Sequence, residues 1–155
     1  MYQSLYEAYR GELFGIEFFK AFAEQSKNPA ECEKWECLID LERHTASLLQ
    51  TWLQSHGQPC TWSDPEMEDK GRATAAPWLA LGWNKLMATL EPWIENYALK
   101  YRQEVTHAPA ELYWVSDMTA AHEEAILAFV KAERAGDDDS LKAVREFMAN
   151  YPVVS

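Results

Sequence analysis

Apolar residues return at every third or fourth position along most of this 155-residue chain, and no segment sustains a strict apolar–polar alternation. That spacing matches the 3.6-residue turn of an α-helix and not the two-residue repeat of a strand, so an all-α fold without a sheet is expected. Leu5, Tyr9, Leu13, Ile16, Phe19 and Phe22 mark one face of a helix over 2–26, weakened locally by Gly11 and Gly15. In "NPAE", Asn28 is a good cap, Pro29 suits the first helical position and Glu31 takes the capping-box place. The helix that starts there runs to about His56, where Gly57 stops it. Its apolar face is Trp35, Leu38, Leu41, Thr45, Leu48 and Trp52.

Residues 58–76 are the one clear break, rich in Pro, Gly, Ser and Asp, with a short helical turn expected at Ser63-Asp64-Pro65. A third helix is expected over 77–106, kinked or split at Pro92. "HAPAELYW" opens a fourth that ends near Ala135-Gly136. In "GDDDSLK" the glycine is a stop and an aspartate the cap of a short last helix over 138–150, ended by Pro152. The sum is one domain over 1–155: a hairpin (2–57), a crossover (58–76), a second hairpin (77–136) and a C-terminal helix. Hairpins packed side by side make a four-helix bundle with one long crossover. A crossover of this length, at ~3.3 Å per residue, is long enough to return along a full helix.

Hydrophobic residues form 48% of the chain, enough for a single core, and the net charge is −11. Such a charge repels nucleic acid and anionic membrane surfaces, so neither is expected as a partner. No apolar run reaches the ~20 residues of a membrane span, and the acidic start does not read as a signal peptide. A cytoplasmic protein is expected, with Cys32, Cys37 and Cys60 as reduced thiols. No phosphate loop or nucleophile elbow is present. The "PEMED" and Asp137–Asp139 runs read as solvated acidic surface and turn, and His56 and His107 as solvated helix-end residues.

A weak internal repeat relates the halves. His44 and His122 stand 78 residues apart, and the same offset pairs Glu17 with Glu95, Ile16 with Ile94, Phe19 with Tyr97, Trp35 with Tyr113, and Leu49 with Leu127. Each half then carries one Glu on its first helix and one His on its second. In topology and in these four positions, residues 2–136 resemble the ferritin-like superfamily, in the broad sense that includes rubrerythrin-like proteins. The resemblance implies that Glu17, His44, Glu95 and His122 are metal ligands. In such proteins each hairpin also supplies the carboxylate of a Glu-x-x-His, and here Leu41 and Thr119 stand in its place. Asp40 and Glu91 are the imperfect substitutes, as auxiliary ligands or as residues that orient the imidazoles.

Two readings follow. One is a degenerate site for Fe or Mn, as one ion or two, handling the metal or reducing dioxygen or peroxide. The other is a relic of that site in a metal-free bundle that serves as a structural or interaction module. Aromatic residues would then form the face of a homodimer, packed through helix faces. Most aromatics are expected in the core, with Tyr97, Tyr101 and Tyr113 near the centre. Haem between His44 and His122 is disfavoured by the neighbouring glutamates. No catalytic residue is assigned.

Overall fold

The computed structural model describes residues 2–154 and is all-helical, with no strand among them. Six α-helices follow one another: α1 (Gln3–Gln25), α2 (Pro29–Ser55), α3 (Pro65–Ala75), α4 (Trp83–Thr106), α5 (Tyr113–Arg134) and α6 (Lys142–Asn150). They fall into two compact units, the first ending at Ala80 and the second spanning Leu81–Val154. No helix among the described residues is long and apolar enough to cross a membrane.

In the first unit α1 and α2 form the expected hairpin. The Asn28 carboxamide accepts from the Ala30 and Glu31 amides at 2.9 and 3.2 Å, with Pro29 at the first helical position. Gly57 follows the helix at φ +84°, the left-handed conformation that ends helices. Phe19 and Phe22 stack on Trp35, at 5.9 and 5.0 Å between ring centroids, and Phe18 meets Phe22 and Trp78 edge-on. These rings make an aromatic core at one end of the hairpin.

The break at 58–76 is more ordered than its composition suggests. Three turns of helix, α3, occupy Pro65–Ala75 and pack on α1. Backbone meets backbone there: a Cβ on Gly71 would lie 2.4 Å from the Phe14 carbonyl oxygen. The approach to α3 is pinned at its start. The Tyr9 hydroxyl donates to the Thr61 carbonyl at 2.5 Å, and burial pushes that phenol up to about 12, so it stays protonated as a donor. Asp64 caps α3 by accepting from the Met67 amide at 3.2 Å, and it accepts from Arg10 Nε at 2.7 Å.

The hydrogen bond from Arg10 holds the Asp64 carboxyl below the usual carboxylate range, with the Met67 amide adding to it. A depressed folded value means the stabilisation is present above the unfolded value of roughly 4 and fades as pH falls through the lower folded one. Asp64→Ala should therefore lose about 2 kcal/mol at pH 7, from cap and ion pair together, and less at pH 3, below the unfolded value. Urea midpoints of both proteins at the two pH values check this. Equal losses at both would remove the ionic part.

In the second unit α4 and α5 form the other hairpin, and α6 packs on α5. The third helix expected from Pro77 begins instead at Trp83. Residues Ala76–Trp78 make only a 3-10 turn, and Gly82 precedes the true start. Pro92 neither ends nor splits α4, which continues to Thr106. Its ring is exposed, so the carbonyl that loses an amide partner lies on the side open to water. The expected aspartate cap on the last helix is also not formed. Asp137 accepts from the Asp139 amide at 2.8 Å in a turn of its own, Asp139 pairs with Arg145, and α6 starts later, after Leu141.

Candidate functional site

The six residues read as metal ligands differ sharply in setting. Glu17 on α1 is partly buried and faces Arg72 of α3 at 3.0 Å and Lys20 at 3.5 Å. Asp40 is exposed beside Arg43 at 3.7 Å. Glu91 and Glu95 on α4 face Arg134 and Lys131 of α5 at 3.2 and 3.7 Å. His44 is half-buried, whereas His122 is 0% exposed. All four carboxylates are thus engaged by a cation of their own unit. That disposition fits structural ion pairs better than a metal's donor set, since a metal would have to displace each cation.

The groups taken furthest from water include two that the periodicity did not single out. Glu12 on α1 and Glu42 on α2 are buried in the first unit, and both have interaction partners. Gly15 makes room for the second. A Cβ there would lie 2.6 Å from the Glu42 carboxyl carbon and 2.7 and 2.9 Å from its oxygens. The Glu42 carboxylate therefore lies against the α1 backbone, one helical turn from Glu12.

Burial also revises the internal repeat. On α2 the buried positions include Trp35, Leu38, Ile39, Glu42, Thr45, Ala46 and Leu49. On α5 they include Val115, Met118, Thr119, His122, Ala125, Ile126 and Phe129. The two series match at an offset of 80, not 78, and two residues are about 200° of helical rotation. By burial, Glu42 and not His44 corresponds to His122. The former partners separate accordingly: Trp35 is in the core while Tyr113 is exposed, and Phe19 is buried while Tyr97 is exposed. Glu42 was detectable as a residue flanked by buried neighbours three and four positions away on both sides.

In the second unit, the His122 ring meets Phe147 of α6 edge-on at 5.8 Å. Nearer the start of α5, Arg102 of α4 bridges two carboxylates. It donates to Asp117 at 2.6 Å and to Glu124 at 2.5 and 3.0 Å. The Tyr151 hydroxyl donates to the other Asp117 oxygen at 3.1 Å, fixing the end of α6 to α5. Burial, and then this hydrogen bond, push the Tyr151 phenol up. The expected central tyrosines are not core residues: Tyr97 and Tyr113 are exposed and Tyr101 is half-buried.

Comparison with protein-family models, with curated proteins and with solved structures finds no match to this chain. What fold and site define is a class: an all-α chain of two units, each a helical hairpin with a short third helix, ion-paired on the surface and polar within its cores.

Proposed function

We propose that this chain is a cytoplasmic, metal-free helical module for protein interaction, built on a ferritin-like arrangement of two hairpins. One observation carries the reading: Glu17, Asp40, Glu91 and Glu95 each face an Arg or Lys of their own unit. In that state they serve the fold as ion pairs. The exposed aromatics Trp62, Tyr97, Tyr113 and Trp114 supply contact surface of the kind interfaces favour. A second copy is one candidate partner, and sedimentation velocity across concentration tests it.

A metal-binding reading is retained on one observation, the complete burial of His122. Under it the chain holds Fe or Mn for redox chemistry with dioxygen or peroxide. The decisive experiment is elemental mass spectrometry of wild type and His44→Ala/His122→Ala, both expressed with iron and manganese supplied. The interaction reading expects no stoichiometric metal in either protein, with wild-type helicity unchanged by chelators. Near-stoichiometric metal in the wild type, lost in a folded double variant, overturns it in favour of the metal reading.

A further inference from the structure

α3 is held to α1 by a small and directional set of contacts. Of its residues only Gly71 and Ala75 are buried, so this helix adds little apolar surface to the core of the first unit. Its hold is polar at both ends. Arg10 of α1 donates to Asp64 at 2.7 Å and lies 3.4 Å from Glu66, and Glu17 accepts from Arg72 at 3.0 Å. Between these pairs Gly71 lies against α1, where a Cβ would be 2.4 Å from the Phe14 carbonyl oxygen. From Arg10 to Glu17 the face therefore presents a cation, a place that admits only glycine, and an anion about two helical turns from the cation. Opposite charges at its ends fix the direction in which a helix can lie on it. A fitting helix carries an acid at its start and, two turns later, a glycine followed by a base. Of the chain's six glycines, Gly71 alone is followed by a basic residue.

We propose that this face of α1 is an interaction surface for α3 of a second copy, so that two chains assemble by exchanging that helix. The inference rests on the interaction reading and names its partner. Every contact that closes one chain is available unchanged between two, because the helix that docks is the same. The connection permits the exchange. Residues 56–64, between α2 and α3, are non-helical, and a stretch of that length spans up to ~30 Å when extended. Within one chain α3 competes at the effective concentration its tether sets, on the order of 1 mM. A chain therefore closes on itself in dilute solution, and exchange takes over as chains crowd together.

The test places opposite charge reversals on two chains, Arg10→Asp on one and Asp64→Arg on the other. Either chain alone sets like charges together when it closes. In an exchanged heterodimer both crossings join opposite charges, the two variant side chains at one and the two native ones at the other. The cap that Asp64 gives α3 is lost in every state of the Asp64→Arg chain and cancels. Each mismatch should weaken closure about tenfold, so the pair favours the heterodimer about a hundredfold over exchange in the wild type. After unfolding in urea and joint refolding at about 0.1 mM, native mass spectrometry should find mainly a one-to-one heterodimer. Each variant refolded alone should stay monomeric. Wild type, and Arg10→Asp/Asp64→Arg on one chain, should refold mainly as monomers with a dimer minority that grows with concentration. A mixture that yields only monomers, or only unfolded protein, overturns the proposal. So does a dimer that forms as readily in either variant alone, because its contact then lies on another face. These outcomes leave the interaction reading standing on other partners, whereas stoichiometric metal removes that reading and not the exchange.

Discussion

Gly71→Ala should undock α3 and lower the stability of the first unit by about 3 kcal/mol. A methyl group there would lie 2.4 Å from the Phe14 carbonyl oxygen, 3.2 Å from the Phe18 nitrogen and 3.3 Å from the Phe14 carbonyl carbon. All three atoms are backbone, held within α1, so no rotamer change relieves the clash. The helices must separate, and the links from α1 to α3 through Arg10–Asp64 and Glu17–Arg72 stretch with them. Gly11→Ala is the matched control, because a Cβ there meets nothing within 4 Å. That change should stabilise α1 by roughly 0.5–1 kcal/mol, since alanine loses less conformational freedom in a helix. Urea denaturation followed by circular dichroism reads both. Similar small effects from the two substitutions would mean that α3 does not need its close approach to α1.

Trp35→Ala should cost about 4 kcal/mol, the largest loss expected from any change discussed for this chain. The indole is 2% exposed and stacked on Phe19 and Phe22, and Phe18 meets both phenylalanines edge-on. Its removal leaves a cavity bounded by rigid rings, which close poorly over a void. Trp62→Ala is the comparison. That side chain is 55% exposed and meets Tyr9 at 6.3 Å, so its loss should stay within about 0.5 kcal/mol. Guanidinium midpoints separate the two. A mild Trp35→Ala would show that the aromatic core of α1 and α2 repacks freely.

The elements that were legible in the sequence share a cause: their signals are local. Asn28-Pro29 starts α2 and Gly57 follows its end because cap chemistry acts over three or four residues. Asp64-Pro65 likewise marked the start of α3, but its three-turn length did not show, because Pro65–Ala75 contains few apolar residues. What stabilises that helix is contact with α1 through Gly71, and a glycine chosen for close approach is written like one chosen for a turn. The start of α4 was misplaced for a related reason, since Pro77 sits as well inside the 3-10 turn Ala76–Trp78 as at the first position of an α-helix.

The candidate site was harder to read. Matching His44 to His122 aligned residue identities, whereas the buried faces of α2 and α5 align two residues away, which sets Glu42 against His122. Aliphatic residues are frequent enough in both helices for either offset to collect matches, and only burial separates them. Glu12 and Glu42 were passed over because acids are ordinarily placed on the surface. Gly15 gave the available hint, as a residue without a side chain opposite a position that carries a long one.

The two units are closed by their third helices in different ways, and this bears on how the chain reaches its native state during synthesis. In the second unit α6 returns to α5, the helix just before it, and His122 meets Phe147 across a short connection. In the first unit α3 returns past α2 to α1, so Tyr9 waits for Thr61 and Arg10 for Asp64. Closing the longer loop costs more chain entropy before any contact offsets it. The hairpin of α1 and α2 therefore emerges first but completes late, with the Phe14 and Phe18 backbone uncovered until Gly71 has left the ribosome. The unit made first is the one whose half-finished form most needs shelter from aggregation, and slowed translation while Gly71 is still inside the ribosome would lengthen that exposure.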